Sequence, residues 1–302
     1  MSKIETTERS FGEKQPPQKP AYTLGLANPN ASELLERRIR QRLDFLEELA
    51  GELREPKVTS RSVDYFLPAD FRLSICVPVY NQQHTIALVI ERLRRLPISC
   101  EIIIVDDAST DGTRSILEEL ARRYPLRILY HEVNQGKGAA VRSALAETTG
   151  DMVVIQDADL EYNPDDLIDV LRPIAIGDAD VCYGSRFAPG PDDNSSWIHR
   201  LGNKALTWLS NRLTGLELTD METCYKAMHR QVLKGLVIEQ NRFGLEPELT
   251  AKLARQGWRF AECPISFEAR GWNEGKKIGW RDGISAVTCI LWYGWRREDS
   301  RS

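Results

Sequence analysis

Apolar positions along this chain fall into two regimes. Between residues 31 and 53, Leu35, Ile39, Leu43, Leu46, Ala50 and Leu53 follow one another at three- and four-residue steps. That is the period of a helix with one apolar face, and about six turns are predicted. Asn30 stands where a cap is needed, with Glu33 in the capping-box position, and Gly51 and Pro56 help to end the helix. Such a helix is expected to pack on its own domain; a dimer formed through it is the other use of that face. Ahead of it, residues 1–30 are polar and proline-containing, with KQPPQKP at 14–20, and are expected to be disordered.

From Leu73 onward, short apolar runs alternate with helical periodicity. LSICVPVYN, EIIIVDD, LRILYHE and DMVVIQD read as strands, and TIALVIERLRRL, GTRSILEELARRY and KGAAVRSALAET as the helices between them. That alternation predicts an α/β domain over residues 71–302, with a mostly parallel sheet and helices on both faces. Residues 31–70 form an N-terminal helical extension to it. After Asp166 come a strand, ADVCYGSRF, two helices, RLGNKALTWLSNRLTG and FGLEPELTAKLARQG, and a strand, RFAECPISFEAR. No linker interrupts them. GISAVTCILWYGW is apolar and Trp-rich: a core helix is the first reading and a helix lying in a membrane interface the second.

Composition narrows the classes without changing this picture. The chain has 302 residues, 28% of them charged, and a formal net charge of −4, which speaks against a general nucleic-acid binder. Its six cysteines form no CxxC pair and mostly sit in apolar runs, as in a protein of a reducing compartment. MSKIETTERS holds no apolar signal-peptide core, and no run approaches the roughly 20 apolar residues that cross a bilayer. A cytoplasmic location, or the inner face of a membrane, is expected.

Open parallel sheets bind ligands at the carboxyl ends of their strands. Three such ends are polar here: Tyr80-Asn81, Asp106-Asp107 and Asp157-Ala158-Asp159. They should lie along one edge and make one site. Asp157, Asp159 and Glu161 alternate, so extended backbone would point them to one side, where three oxygen ligands suit Mg2+ or Mn2+. A solvated acidic turn is the plainer alternative. NQGKGAA puts Lys137 at the opening of a helix, where free N–H groups and an ammonium attract anions. Arg186 follows a strand, and Arg270, Lys276, Lys277 and Arg281 share a glycine-containing stretch of the kind that closes over phosphates. Carboxylates for a divalent ion together with cations for phosphates describe a nucleoside-diphosphate site.

The stretches VPVYN, IIIVDDASTDGT, NQGKGAA, QDADLEYNPDD, YGSRF, TDMETCYKA, FGLEPEL and EARGWNEGKKI, in that order over residues 73–295, resemble the family 2 glycosyltransferases. Within that family they resemble the dolichyl-phosphate mannose synthase and bacterial polyprenyl-phosphate branches. The resemblance implies the GT-A fold, a Rossmann-like nucleotide-diphospho-sugar transferase architecture. It implies that Pro78 and Tyr80 line the base pocket, that Asp107 binds base or ribose, and that Asp157 and Ala158 lie along the nucleotide. Asp159 and Glu161 would hold the metal, and Arg186, Arg270 and Lys276 would contact phosphates of donor or acceptor. Two positions depart from the family pattern: Gln82 stands where Glu is usual, which leaves guanine and uracil both open, and Glu161 stands where the polyprenyl-phosphate enzymes often have Gln.

The implied reaction is inverting transfer of a sugar from a nucleotide-diphosphate sugar to an acceptor, a polyprenyl phosphate first and a sugar or glycan hydroxyl second. A lipid phosphate needs no general base. A hydroxyl does, and Asp220 or Glu222 is then the candidate. Two other classes compete. A nucleotidyltransferase would more often show a glycine-rich loop after the first strand, and VPVYNQQ has none. An inactive nucleotide-sugar-binding protein would more often have lost the acidic trio, which is intact.

Overall fold

The computed structural model describes Arg37, Arg40 and residues 62–187, 197–268 and 280–295. Arg37 and Arg40 lie in helical backbone; the rest of the expected tail and most of the helical extension fall outside the described residues.

The predicted alternation is the one observed. Strand β1 (Leu73–Val79) leads through α1 (Ile86–Arg94) to β2 (Cys100–Asp106), then α2 (Thr113–Arg123), β3 (Arg127–Tyr130), α3 (Lys137–Ala146) and β4 (Met152–Ile155). Next come α4 (Leu167–Ala175), β5 (Val181–Ser185), α5 (Trp197–Thr214), β6 (Lys226–His229), α6 (Leu245–Arg255), β7 (Phe260–Pro264) and α7 (Trp280–Trp295). The strands make one sheet in the order β3-β2-β1-β4-β6-β5-β7. β1 pairs in parallel with β2 and β4, β2 with β3, and β5 with β7.

β6 is antiparallel to both of its neighbours, β4 and β5. Because it runs backwards, its leading segment, Thr219 to Tyr225, arrives at the edge where the parallel strands end. That reversal brings TDMETCYKA to the carboxyl-end edge.

The core lies between the sheet and its helices. Every residue of β4 is buried, as are Leu73, Ile75, Cys76 and Val77 of β1 and Ile103, Ile104 and Val105 of β2. Buried Ile, Val and Leu side chains contribute about 1.5–3 kcal/mol each, and these strands carry them on both faces, as a sheet covered on both sides requires.

A candidate active site at the carboxyl ends of the strands

Three adjacent strands, β2, β1 and β4, end in loops that share one backbone feature. The non-glycine residues with positive φ among those described are Asn81 (54°), after β1, Ala108 (59°), after β2, and Leu160 (65°), after β4. Left-handed backbone is costly for residues with a Cβ, and such strain gathers at functional sites. The loops are stitched together to hold it. Asn81 N donates to Ser109 Oγ at 2.9 Å, Thr110 N donates to Asn81 Oδ1 at 2.8 Å, and Asp107 N donates to the Val79 carbonyl at 2.8 Å. The Thr85 hydroxyl donates to the Ala158 carbonyl at 2.6 Å. Tyr80 is exposed beside them, while Pro78 and Gln82 are half-buried. The three polar strand ends therefore do lie along one edge.

Asp107 works inside the protein. Its Oδ1 accepts from Gln135 N at 2.9 Å and its Oδ2 from Gly136 N at 2.7 Å, and His131 Nδ1 lies 2.6 Å from Oδ1. Asp107 thus fixes the turn that opens α3. The glycines of NQGKGAA have a tertiary reason: a Cβ on Gly136 or Gly138 would collide with the backbone carbonyls of Asn241 and Gln240. Arg142 clasps the same segment, donating to the Ile238 carbonyl at 3.1 Å and to Asn241 Oδ1 at 2.8 Å. The start of α3 is thereby held against the chain that leads into α6.

Lys137 sits at the result of that packing. Its ammonium lies 3.0 Å from Asp157 Oδ1 and 3.0 Å from Glu246 Oε1. Burial acts to lower its pKa; the charges of Asp157 and Glu246 act to raise it and prevail, so it stays well above the ordinary lysine value. From the sequence Lys137 is expected to attract anions, and Glu246 carries no expected role. Glu246 is 5% exposed, in the first turn of α6. The signal available for it was an acid just after Gly244 at a helix start, inside FGLEPEL.

The Asp157–Glu161 segment corrects one expectation. It is a turn rather than an extended run, because Leu160 is left-handed between Asp159 and Glu161 and Glu161 N donates back to Asp159 Oδ1 at 3.3 Å. Strict alternation therefore does not aim three carboxylates to one side. Among the described residues, no group of three or more His, Cys, Asp or Glu is gathered as a metal cage. Asp157 is held by Lys137, and the half-buried Asp159 and Glu161 carry oxygen donors of the hard kind that a divalent ion takes.

Across the edge, Arg186 grips Asp220. Nε reaches Oδ2 at 2.7 Å, Nη2 reaches Oδ1 at 2.8 Å, and the Arg186 backbone N–H adds a bond of 3.1 Å to Oδ2. Asp220 is fully buried. A carboxylate so engaged does not suit the proton-accepting role that a hydroxyl acceptor would ask of it. Glu222 is half-buried, and its Oε1 is inaccessible and has no hydrogen-bond partner in the protein. Burial first and the neighbouring Glu246 charge second push its carboxyl up to about 8.

Arg270 and Lys276 lie outside the described residues, in the stretch that begins immediately after Glu268. Glu268 itself is fixed to the site: its N–H donates to the Glu161 carbonyl at 2.9 Å, and Tyr162 pairs with Phe267. In α7, Tyr293 is 2% exposed and its hydroxyl donates to Glu239 Oε2 at 2.9 Å. It therefore belongs to the interior and not to an interfacial anchor. Trp292 and Trp295 are exposed.

Known proteins resemble this chain in sequence and in fold. The family model described as glycosyl transferase family 2 matches residues 74–237, which run from β1 past β6 and include both acidic strand ends. The chain is 30% identical over 232 residues to an undecaprenyl-phosphate mannosyltransferase from Micrococcus luteus, covering 73% of this chain and 93% of that one. It is 28% identical to a polyprenol monophosphomannose synthase from Mycolicibacterium smegmatis, covering 69% of this chain and 82% of the relative. Its fold is similar to glucosyl-3-phosphoglycerate synthase from Mycobacterium tuberculosis, solved with Mn2+, UDP and phosphoglyceric acid, at a TM-score of 0.59 and 21% identity over 76% of this chain and 81% of that one. The match over β1 to β6, the polar strand ends on one edge and the kinship with named mannosyltransferases make this chain a member of glycosyltransferase family 2.

Proposed function

We propose that this glycosyltransferase moves a hexose from a UDP- or GDP-linked sugar to a polyprenyl phosphate, with inversion at the anomeric carbon. The observation that carries this reading is the Arg186–Asp220 pair. It takes up the buried acid that a hydroxyl acceptor would need as its base, and an acceptor phosphate, already anionic near neutral pH, needs none. The names of the Micrococcus and Mycolicibacterium relatives point the same way.

In this reading the nucleotide lies over the loops after β1, β2 and β4. Pro78, Tyr80 and Gln82 face the base, and Asp157 and Ala158 run along the ribose and diphosphate. Asp107 keeps the α3 opening in place, and Lys137 balances the acids beneath. Asp159 and Glu161 would hold Mg2+ or Mn2+, which when bound supplies charge compensation for the leaving nucleoside diphosphate. The acceptor phosphate oxygen attacks the anomeric carbon, and the bond from that carbon to the diphosphate oxygen breaks. Arg186, together with Arg270 and Lys276, steadies the negative charge of acceptor and leaving group.

A lipid acceptor requires access to a membrane surface. Among the described residues, no helix is long and apolar enough to cross a membrane. α7 supports approach from the surface: residues 283–295 carry no charge, and Ile284, Val287, Leu291, Trp292 and Trp295 are exposed. Thr288, Leu291, Trp292 and Trp295 line an open groove of about 580 Å³. α5 packs against α7 and exposes Leu201 and Trp208, with Lys204 and Arg212 on the same stripe. Apolar and aromatic positions flanked by cations suit an anionic lipid interface.

Calorimetric titration of UDP- and GDP-sugars, with and without Mn2+, tests the donor half. Saturable, metal-strengthened binding of one class is expected. Absence of binding by every nucleotide sugar would overturn the proposal.

A further inference from the structure

Segments next to β4, β5, β6 and β7 meet at one pair of aromatic rings. Tyr162 follows the acidic turn after β4, and Phe267 lies just past the end of β7. The two pair as an isolated antiparallel bridge, and their rings stand edge to face, with centroids 5.3 Å apart at 67°. Tyr225, in the segment that leads into β6, touches the Tyr162 ring at 4.9 Å, and the Tyr162 hydroxyl oxygen accepts from Cys224 N at 3.1 Å. Arg186, which follows β5, sets its guanidinium over the Phe267 ring, 5.2 Å from the centroid. Tyr162 is buried and Phe267 half-buried.

The transfer described above uses neither ring, yet both bear on its acids. The turn with Asp159 and Glu161 passes through Leu160 in left-handed backbone, at φ 65°. Such a conformation persists only where the surroundings over-determine it. The end of β7 supplies two of the restraints. Glu268 N donates to the Glu161 carbonyl at 2.9 Å, and Phe267 bridges Tyr162, the next residue along. The same Phe267 ring faces the guanidinium that grips Asp220.

We propose that Phe267 is a positioning residue of the transfer site, fixing the turn that carries Asp159 and Glu161 relative to the Arg186 guanidinium. The inference rests on the reading of Asp159 and Glu161 as metal ligands and of Arg186 as a phosphate contact. In that reading the ion and the guanidinium act on one small group, the diphosphate, so their separation has to be set before the ligand arrives. Phe267 suits that task because its ring makes two contacts that a bare apolar volume does not. It meets Tyr162 edge to face, and its face attracts the Arg186 cation.

The test is Mn2+ binding followed by electron paramagnetic resonance, with UDP and with GDP, on the full-length wild type and on Phe267→Tyr, Phe267→Leu and Phe267→Ala. Blanks hold the nucleotide without protein, and the folded fraction of each variant comes from its unfolding curve. Per folded molecule, Leu and Ala should weaken protein-bound Mn2+ by about tenfold or more, as loss of a group behind metal ligands does. Tyr keeps the ring and should bind as the wild type does. If Ala fails to fold, Leu decides the matter, since it keeps most of the apolar volume and lacks only the ring. Wild-type Mn2+ affinity in Phe267→Leu, with or without a loss of stability, would overturn the proposal and leave Phe267 as packing. Equal weakening in Tyr and Leu would overturn it as well. A wild type that binds no Mn2+ beyond the nucleotide blanks would instead bring down the metal reading, and this inference with it.

Discussion

The Arg186 guanidinium holds the Asp220 carboxylate by two parallel bonds, Nε to Oδ2 at 2.7 Å and Nη2 to Oδ1 at 2.8 Å. Asp220 is fully buried and Arg186 nearly so. Removing one partner of such a pair strands the other charge, which costs on the order of 3–5 kcal/mol. Asp220→Asn is therefore expected to lower stability markedly, as read by urea unfolding. An unchanged midpoint would mean that Arg186 is solvated and that Asp220 is available as a base after all.

The Glu222 carboxyl gives stability a pH dependence of defined sign. Its pKa rises from 4.5 to about 8, from burial first and then Glu246. For a group raised in the folded state, the stability it contributes is complete below its unfolded value and is lost as pH climbs through the folded one. Glu222→Gln removes that loss. The melting temperature of the variant relative to the wild type should rise between about pH 5 and about pH 9; a constant difference across that range would refute the shift.

Gly138 lies where a Cβ would strike the Gln240 carbonyl, next to the lysine that links Asp157 to Glu246. Gly138→Ala forces α3 and the 238–241 segment apart, at about 1–3 kcal/mol by the usual cost of overpacking. Transfer activity should fall by more than the loss of folded protein accounts for. Wild-type turnover per folded molecule would show that this packing does not set the site.

Trp292 and Trp295 are 60% and 78% exposed on the uncharged face of α7. Changing both to Ala should reduce flotation with anionic liposomes at low salt, on the order of tenfold per tryptophan that loses its burial in lipid. Equal flotation of wild type and variant would remove α7 as the contact, and no flotation of the wild type would favour a soluble acceptor.

Much of this architecture is written in local pattern. The strands β1 to β4 and the helices between them follow from apolar runs alternating with helical periods, and the polar strand ends follow from parallel topology. What the pattern does not carry is tertiary. The reversed β6 is four residues long, and nothing within it encodes its direction. Leu160 in left-handed backbone is set by the loops around it, so the alternation of Asp157, Asp159 and Glu161 misled. Glu246 acquires meaning only when the α3 glycines let Lys137 approach it. In α7 both faces are apolar, so periodicity could not tell buried Tyr293 from exposed Trp292.

Transfer to a lipid phosphate can be measured by incubating the purified enzyme with labelled UDP- and GDP-sugars, Mg2+ or Mn2+, and a polyprenyl phosphate, beside the matching polyprenol and soluble glycans. Label should enter the organic phase only with the phosphorylated lipid, and EDTA or Asp159→Ala should abolish this, with mass spectrometry showing one hexose on the lipid phosphate. Label appearing on the polyprenol or a glycan hydroxyl, or undiminished transfer by Asp159→Ala, would contradict it.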